Sequence, residues 1–285
     1  GIEPTTYTIR PISLFKTQIH NTILINYLHL HVLCKSLSAL SCKLVMVMSI
    51  VFCLFSDYKF FFRQAMMTGS VSTFADVALN FGAPAVRGDS VLRVAAARGR
   101  RSVLYGDDTW LRLFPGLWTE HDGTTSFFVT DYTEVDHNVT RHLDDVMKPD
   151  ESKKPSFDFL VLHYLGLDHI GHLEGARSAK IKPKLLEMDD VVKKIFTDRN
   201  GVLFICGDHG MRDAGGHGGA TPAEVLVPLV VAKSPTVAQV DLAPTISWLL
   251  NAPIPGDSVG RLLPALLPSD PRQHLYLLHV ITHYC

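Results

Sequence analysis

Two apolar runs, Phe157-Asp158-Phe159-Leu160-Val161-Leu162-His163-Tyr164-Leu165 and Val202-Leu203-Phe204-Ile205-Cys206, are short, nearly unbroken and closed by glycine. Runs of that kind fit strands buried on both faces, as in a parallel sheet. Elsewhere the spacing becomes helical. Leu185, Leu186, Met188, Val191, Val192 and Ile195 form one apolar stripe after Pro183, which suits the first turn of a helix packed on the sheet. Residues 89–98 predict another helix, with Asp89 or Ser90 as its cap, leading to a strand at 102–105 and a loop from Gly106. Residues 139–147 predict a helix, 148–156 a charged surface loop, 226–232 a strand and 241–250 a closing helix. Such alternation predicts an α/β fold with a mainly parallel sheet flanked by helices.

The polar residues at the ends of the two runs carry the chemistry. Gly166-Leu167-Asp168-His169-Ile170-Gly171-His172 follows the first, Cys206-Gly207-Asp208-His209-Gly210-Met211 the second, and Gly216-His217-Gly218 comes shortly after. Ligands of open α/β sheets sit at the carboxyl ends of the strands, so Asp168 and Asp208 are expected to enter one crevice from neighbouring strands. Carboxylate oxygen and imidazole nitrogen are zinc donors. Five such groups exceed one site and suit two metals sharing a phosphoryl group, at a separation of roughly 3.5–4 Å. The glycines at 166, 171, 207, 210, 215, 216, 218 and 219 let backbone approach a crowded charged centre.

Composition changes the picture at the amino end. Up to Ser56 the single acidic residue is Glu3, and Cys34, Cys42 and Cys53 all fall there. Residues 37–55 are mostly apolar, but Lys43 interrupts them and leaves only 44–55 continuous, short of the roughly twenty residues that span a bilayer. The expected division is therefore an atypical leader at 1–60, either an anchor or a stretch translated from foreign upstream sequence. A partial catalytic domain follows at 61–270, then a tail at 271–285. The 285 residues are 47% hydrophobic with a formal net charge of −1. Arg98-Gly99-Arg100-Arg101 is the densest basic run and reads as a solvated helix end, so nucleic acid is excluded as a partner. Cys206, beside the second motif in a strand, has no cysteine near it for an internal disulfide.

Further stretches carry a resemblance: Ala65-Met66-Met67-Thr68-Gly69-Ser70, Tyr105-Gly106-Asp107-Asp108-Thr109-Trp110, and 122–136, beginning Asp122-Gly123-Thr124-Thr125-Ser126. With the Asp168 and Asp208 motifs, residues 63–266 resemble the catalytic domain of the GPI ethanolamine phosphate transferases, most like type 2, within the alkaline phosphatase superfamily. That resemblance implies an alkaline phosphatase-like core whose N-terminal part is incomplete here. It also implies transfer of phosphoethanolamine from phosphatidylethanolamine to a mannose of the GPI precursor, by two-metal phosphoryl transfer. One zinc would be held by Asp168, His172 and His217, and a second in part by Asp208 and His209. The family's second metal also takes an Asp from a strand near the N-terminus and a Thr that doubles as nucleophile, ten residues before the glycine matching Gly69. Lys59 occupies that position, so the chain as written is expected to bind one zinc well, a second weakly, and to be inactive.

The same resemblance implies a lumenal catalytic domain at the endoplasmic reticulum membrane, tethered by segments missing from this chain, with an accessory membrane subunit as a further partner. Two other readings share these residues: a metal-dependent phosphodiesterase or phosphatase of the superfamily, and a catalytically silent, partner-binding subunit. Trp110 with Asp107 or Asp108 offers an aromatic face and a carboxylate to an ammonium head group; the competing reading has Asp108 and Thr109 capping a short helix with Trp110 turned inward. Glu224 is placed to orient His217. His163 and His169 read as packing or supporting residues. Asn138-Val139-Thr140 is an acceptor triplet for N-glycosylation.

Overall fold

The computed structural model describes residues 6–8, 43–48, 59–70, 85–125, 128–147, 157–196, 201–217, 219, 221–230 and 237–263. Among these, the strands are β1 Thr6–Thr8, β2 Lys43–Met48, β3 Ser102–Asp107, β4 Glu120–Thr124, β5 Phe159–His163, β6 Gly201–Cys206, β7 Leu226–Val230 and β8 Val237–Ala238. They join in one sheet of order β4-β3-β5-β2-β6-β7-β1-β8. From β4 to β6 every pairing is parallel; β7 runs antiparallel to β6, and β8 antiparallel to β1. The mainly parallel α/β sheet is therefore as expected.

Two details differ from the sequence reading. The ligand-bearing strands β5 and β6 are not neighbours: β2 lies between them and pairs with both, Met48 in register with His163 and with Cys206. Residues 1–60, which composition set apart, thus supply β1 and β2 to the sheet. The apolar segment Lys43–Met48 was too short to mark itself as a strand amid its unusual surroundings, and only long-range pairing reveals it. It contains no Asp.

Period-2 alternation sorts the central strands into two cores. Leu104, Phe159, Val161 and Phe204 face a cluster with Met66, Met67 and Trp110, whereas Val103, Tyr105, Leu160 and Leu162 face a second with Val139, Leu143 and Met188. Helices α1 Lys59–Thr68, α2 Val91–Ala97, α3 Thr109–Leu113 and α9 Leu242–Leu249 bring residues to the first. Helices α4 Glu134–Thr140, α5 Leu143–Val146 and α7 Ile181–Phe196 cover the second. The remaining helices are α6 Gly166–Glu174 and α8 Pro222–Val225. Ser90 caps α2 by accepting from Arg93 N, as one of its two candidate caps predicts. The helix expected over 139–147 is broken into α4 and α5, and the predicted loop at 148–156 lies outside the described residues. The stripe on α7 is core, with Met188, Val191 and Ile195 buried. No helix among the described residues is long and apolar enough to cross a membrane.

Candidate metal centre

The chain leaves β5 at His163 and within two residues enters α6. Buried Asp136, on α4, makes that turn: its Oδ1 accepts the N–H groups of Leu165 and Gly166, both at 2.9 Å, while Oδ2 lies 3.2 Å from the Nζ of buried Lys184. The start of α6, whose N–H groups have no partner within the helix, is satisfied in this way. Gly166 is required there, because a Cβ would fall 2.2 Å from Asp136 Oδ2. Asp168 and His172 then share one face of α6 at i and i+4, with Nε2 and Oδ1 3.3 Å apart.

At the end of β6, Asp208 and His209 follow Gly207. Gln239 donates to the Asp208 carbonyl at 2.7 Å. The Nδ1 of His209 lies 3.1 Å from Gly210 O and its Nε2 3.7 Å from Asp208 Oδ1. A proton on Nδ1, donated to that carbonyl, leaves Nε2 as the donor atom for a metal. The Gly-rich loop brings His217 across: its ring stacks on His209 with centroids 4.1 Å apart and lies 6.0 Å from His172. Gly210 and Gly215 let this loop close, since Cβ atoms there would meet Ala223 O at 2.1 Å and Gly171 O at 3.0 Å.

All five expected ligands are thus brought together, in the sequence Asp168, His172, His217, His209, Asp208. Their donor chemistry, two carboxylates and three imidazoles in a largely buried cleft, fits a zinc-type ion. In their present arrangement no group of three or more His, Cys, Asp or Glu side chains among the described residues is disposed to hold a metal.

Of the two readings of Trp110, the structure has the inward one, with Asp108 and Thr109 at the start of the short helix α3. Trp110 is fully buried, edge-on to Trp118 and His163, and donates to His163 Nδ1 at 3.3 Å; its face carries the Arg63 guanidinium, 5.6 Å from the ring centroid. Asp107 is buried and paired with Arg63 at 2.8 Å, and its Oδ1 accepts from Thr109. Asp108 pairs with Arg112 on the surface, and burial pushes its carboxyl upward. The three do not form an open head-group pocket, because an internal cation already uses the aromatic face and one carboxylate.

Glu224 caps α8: its carboxylate accepts from Gly219 N and from Thr221 N and Oγ1, and it pairs with Arg212 at 3.3 Å. It therefore holds the loop bearing His217 through backbone. His163 Nε2 reaches to 3.9 Å from Asp208 Oδ2, and His169 bonds the Asp131 carbonyl through Nδ1. Asn138 is half-buried within α4. Thr68 bonds Gln64 O and Ser70 at the end of α1.

Arg63 is the residue that sequence reasoning missed. It is fully buried on α1, between Asp107 and, at 3.5 Å, Asp208. Its signal was present: one charge preceding the apolar Ala65-Met66-Met67, on a helix with no acidic residue, must find a distant partner if the helix is buried.

Residues 69–229 match the family model described as type I phosphodiesterase / nucleotide pyrophosphatase. The chain belongs to that family. Within it, this phosphodiesterase-family chain is 47% identical over 241 residues to the human GPI ethanolamine phosphate transferase 2, catalytic subunit, and 38% identical over 236 residues to GPI ethanolamine phosphate transferase 2 of Schizosaccharomyces pombe. These alignments cover 77% and 70% of this chain but 24% and 31% of the relatives, so the family member spans a quarter to a third of their length. Its fold is similar to that of Ps i-CgsB in complex with k-i-k-neocarrahexaose, at a TM-score of 0.51 and 13% identity over 82% of this chain and 74% of that one. An alkaline phosphatase superfamily protein from Vibrio parahaemolyticus matches at a TM-score of 0.45 and 12% identity, covering 78% of this chain and 69% of that one.

Proposed function

We propose that this chain carries the metal-binding half of a phosphoethanolamine transferase site. The activity to which it belongs is transfer of phosphoethanolamine from phosphatidylethanolamine to a mannose of the GPI precursor, in the lumen of the endoplasmic reticulum. The observation that supports this reading is the convergence of Asp168, His172, Asp208, His209 and His217 from two strand ends and one Gly-rich loop, in a chain whose relatives bear that name.

Asp168, His172 and His217 would hold one zinc-like ion, and Asp208 with His209 would contribute to a second. Bound metal supplies Lewis-acid stabilisation of charge on phosphoryl oxygens. The protein's own part is to fix the donors: Asp136 sets the start of α6, the carbonyl of Gly210 sets the His209 ring, and Glu224 closes the His217 loop. Lys59, at the first position of α1, stands where the family resemblance calls for a Thr nucleophile. A lysine there leaves no hydroxyl to take the phosphoryl group, so the chain as written binds metal without turnover.

The test measures zinc content and transferase activity together. Wild type is expected to retain zinc after dialysis and to leave phosphatidylethanolamine and a mannosylated GPI acceptor unreacted, while His172→Ala loses the tightly held zinc. Unchanged zinc content in His172→Ala would overturn the ligand assignment, and transfer by wild type would overturn the role given to Lys59.

A further inference from the structure

Two buried carboxylates from different strand ends converge on one nitrogen of one side chain. Arg63 Nη2 lies 2.8 Å from Asp107 Oδ2, on β3, and 3.5 Å from Asp208 Oδ2, just past β6. Arg63 and Asp107 are fully buried and the Asp208 side chain is 13% exposed, so both acids need a permanent positive neighbour. The guanidinium is held in place by the Trp110 ring, 5.6 Å from its centre. Its Nε and Nη1 are buried with no hydrogen-bond partner among the described residues, so the head group is oriented by this acid pair and by the ring.

We propose that Arg63 is the resident cation of the Asp208 half of the cluster, standing where a second divalent ion would otherwise sit. The chain then holds one ion, at the Asp168, His172 and His217 end. This rests on the metal-binding reading above and goes beyond it by assigning the second position to a side chain. The two ends differ in chemistry. Asp168 faces an imidazole at 3.3 Å, a group that can stay neutral and offer a lone pair to a metal. Asp208 faces a guanidinium, which cannot lose its proton and has no lone pair to offer. A divalent ion beside Asp208 would have to displace that charge from two carboxylates and from the face of Trp110. Removing the guanidinium instead leaves two carboxylates around an emptied position, with the Nε2 of His209 3.7 Å from Asp208 Oδ1 as a nitrogen donor nearby.

The experiment is calorimetric titration of the metal-stripped chain with zinc chloride, with bound metal counted by elemental analysis after dialysis. Wild type and Arg63→Lys are expected to bind one zinc, and Arg63→Ala two, its second at least tenfold tighter than any second binding in wild type. Because Arg63→Ala leaves Asp107 without its ion pair and can fail to fold, Arg63→Ala with Asp107→Asn is titrated in parallel. Asparagine keeps the oxygen that accepts from Thr109, and the double variant should also gain a site, through Asp208, His209 and the asparagine oxygen. Two equivalent zincs in wild type, or one zinc in both Arg63→Ala proteins, would overturn the proposal and leave the first site intact. No zinc in wild type with one in Arg63→Ala would support the role of Arg63 and remove the first-site assignment. No zinc in any of them would remove both.

Discussion

Asp136 should be worth more to this fold than any other carboxylate outside the proposed metal ligands. It is fully buried, accepts two backbone N–H groups at 2.9 Å and lies 3.2 Å from the Lys184 ammonium, itself 4% exposed. In Asp136→Ala the N–H groups of Leu165 and Gly166 lose their acceptor in a dry environment, at about 1–3 kcal/mol each. Lys184 keeps Glu187 at 2.8 Å, which limits the loss on that side. The total falls at about 3–5 kcal/mol, the range for removing one partner of a buried ion pair. At about 2–4 °C per kcal/mol for a domain of this size, the melting temperature should drop by roughly 10 °C.

Because the lost bonds set the first turn of α6, Asp168 and His172 lose their fixed spacing as well, and zinc affinity should weaken in the same variant. Asp136→Asn, which keeps an oxygen for both N–H groups, should recover about half of the stability. Burial holds the Asp136 carboxyl above the usual range, against the opposing pull of Lys184 and the two N–H groups. The folded chain thus binds this proton more tightly than the unfolded chain. Its contribution to stability is present in full below the ordinary carboxylate value and fades as pH rises, so acid should not release this clamp. Thermal melting by circular dichroism and zinc titration of the three proteins make the test. An alanine variant melting within 2 °C of wild type, a difference of about 1 kcal/mol or less, would refute the reasoning.

Other consequences are local. Gly106→Ala should prevent accumulation of folded protein, checked by soluble yield and near-ultraviolet circular dichroism, because φ is +140° and a Cβ would lie 2.4 Å from the His163 carbonyl oxygen. Trp110→Phe should lower stability by about 1–3 kcal/mol through the lost bond to His163, yet leave phosphoethanolamine binding by calorimetry unchanged, since the ring faces Arg63. Tyr105 donates to Glu120 and stacks on His142 at 4.1 Å; burial first, and then that bond, push its hydroxyl well above the usual tyrosine value. Its stabilisation is present below about pH 10 and is lost as pH rises through the raised value, so Tyr105→Phe should show a shallower alkaline loss of stability in denaturant titrations than wild type.

Much of the sheet and the clustering of the Asp and His side chains were legible because their signals are contiguous. The runs before Asp168 and Asp208 announce strands through their own composition, and each ligand pair lies within five residues of chain. The features that escaped are held by partners far apart. Arg63 and Asp208 are separated by 145 positions, and nothing in the helix around Arg63 says which acid it meets. Asp136 sits in a polar stretch that reads as an ordinary helix start, and Lys184 beside Pro183 reads as surface, until the fold buries both. Trp110 shows the same limit: of its two readings, the inward one holds, and the cation its face meets is the internal Arg63, which local sequence does not announce.

The placement of β2 carries this argument to the site itself. The strand lies between β5 and β6, and its end at Met48 is level with His163 and Cys206, from which the two ligand motifs follow. The family resemblance calls for an acidic ligand from an N-terminal strand, and β2 carries none, Met48 being followed in the sequence by Ser49 and Ile50. While Arg63 holds Asp107, and with no carboxylate from β2, a second divalent ion would rest on Asp208 and His209 alone, too few ligands for tight binding. A guanidinium needs no such cage: two acids and an aromatic face suffice. The absence of an acid on β2 and the presence of Arg63 are thus two sides of one charge balance. Adding an acid next in sequence after β2 while Arg63 remains should therefore not recruit a second zinc: Ser49→Asp or Ile50→Asp should each leave the stoichiometry in a zinc titration at one, and a second tightly bound ion in either single variant would show that the missing carboxylate, rather than the resident guanidinium, sets the limit.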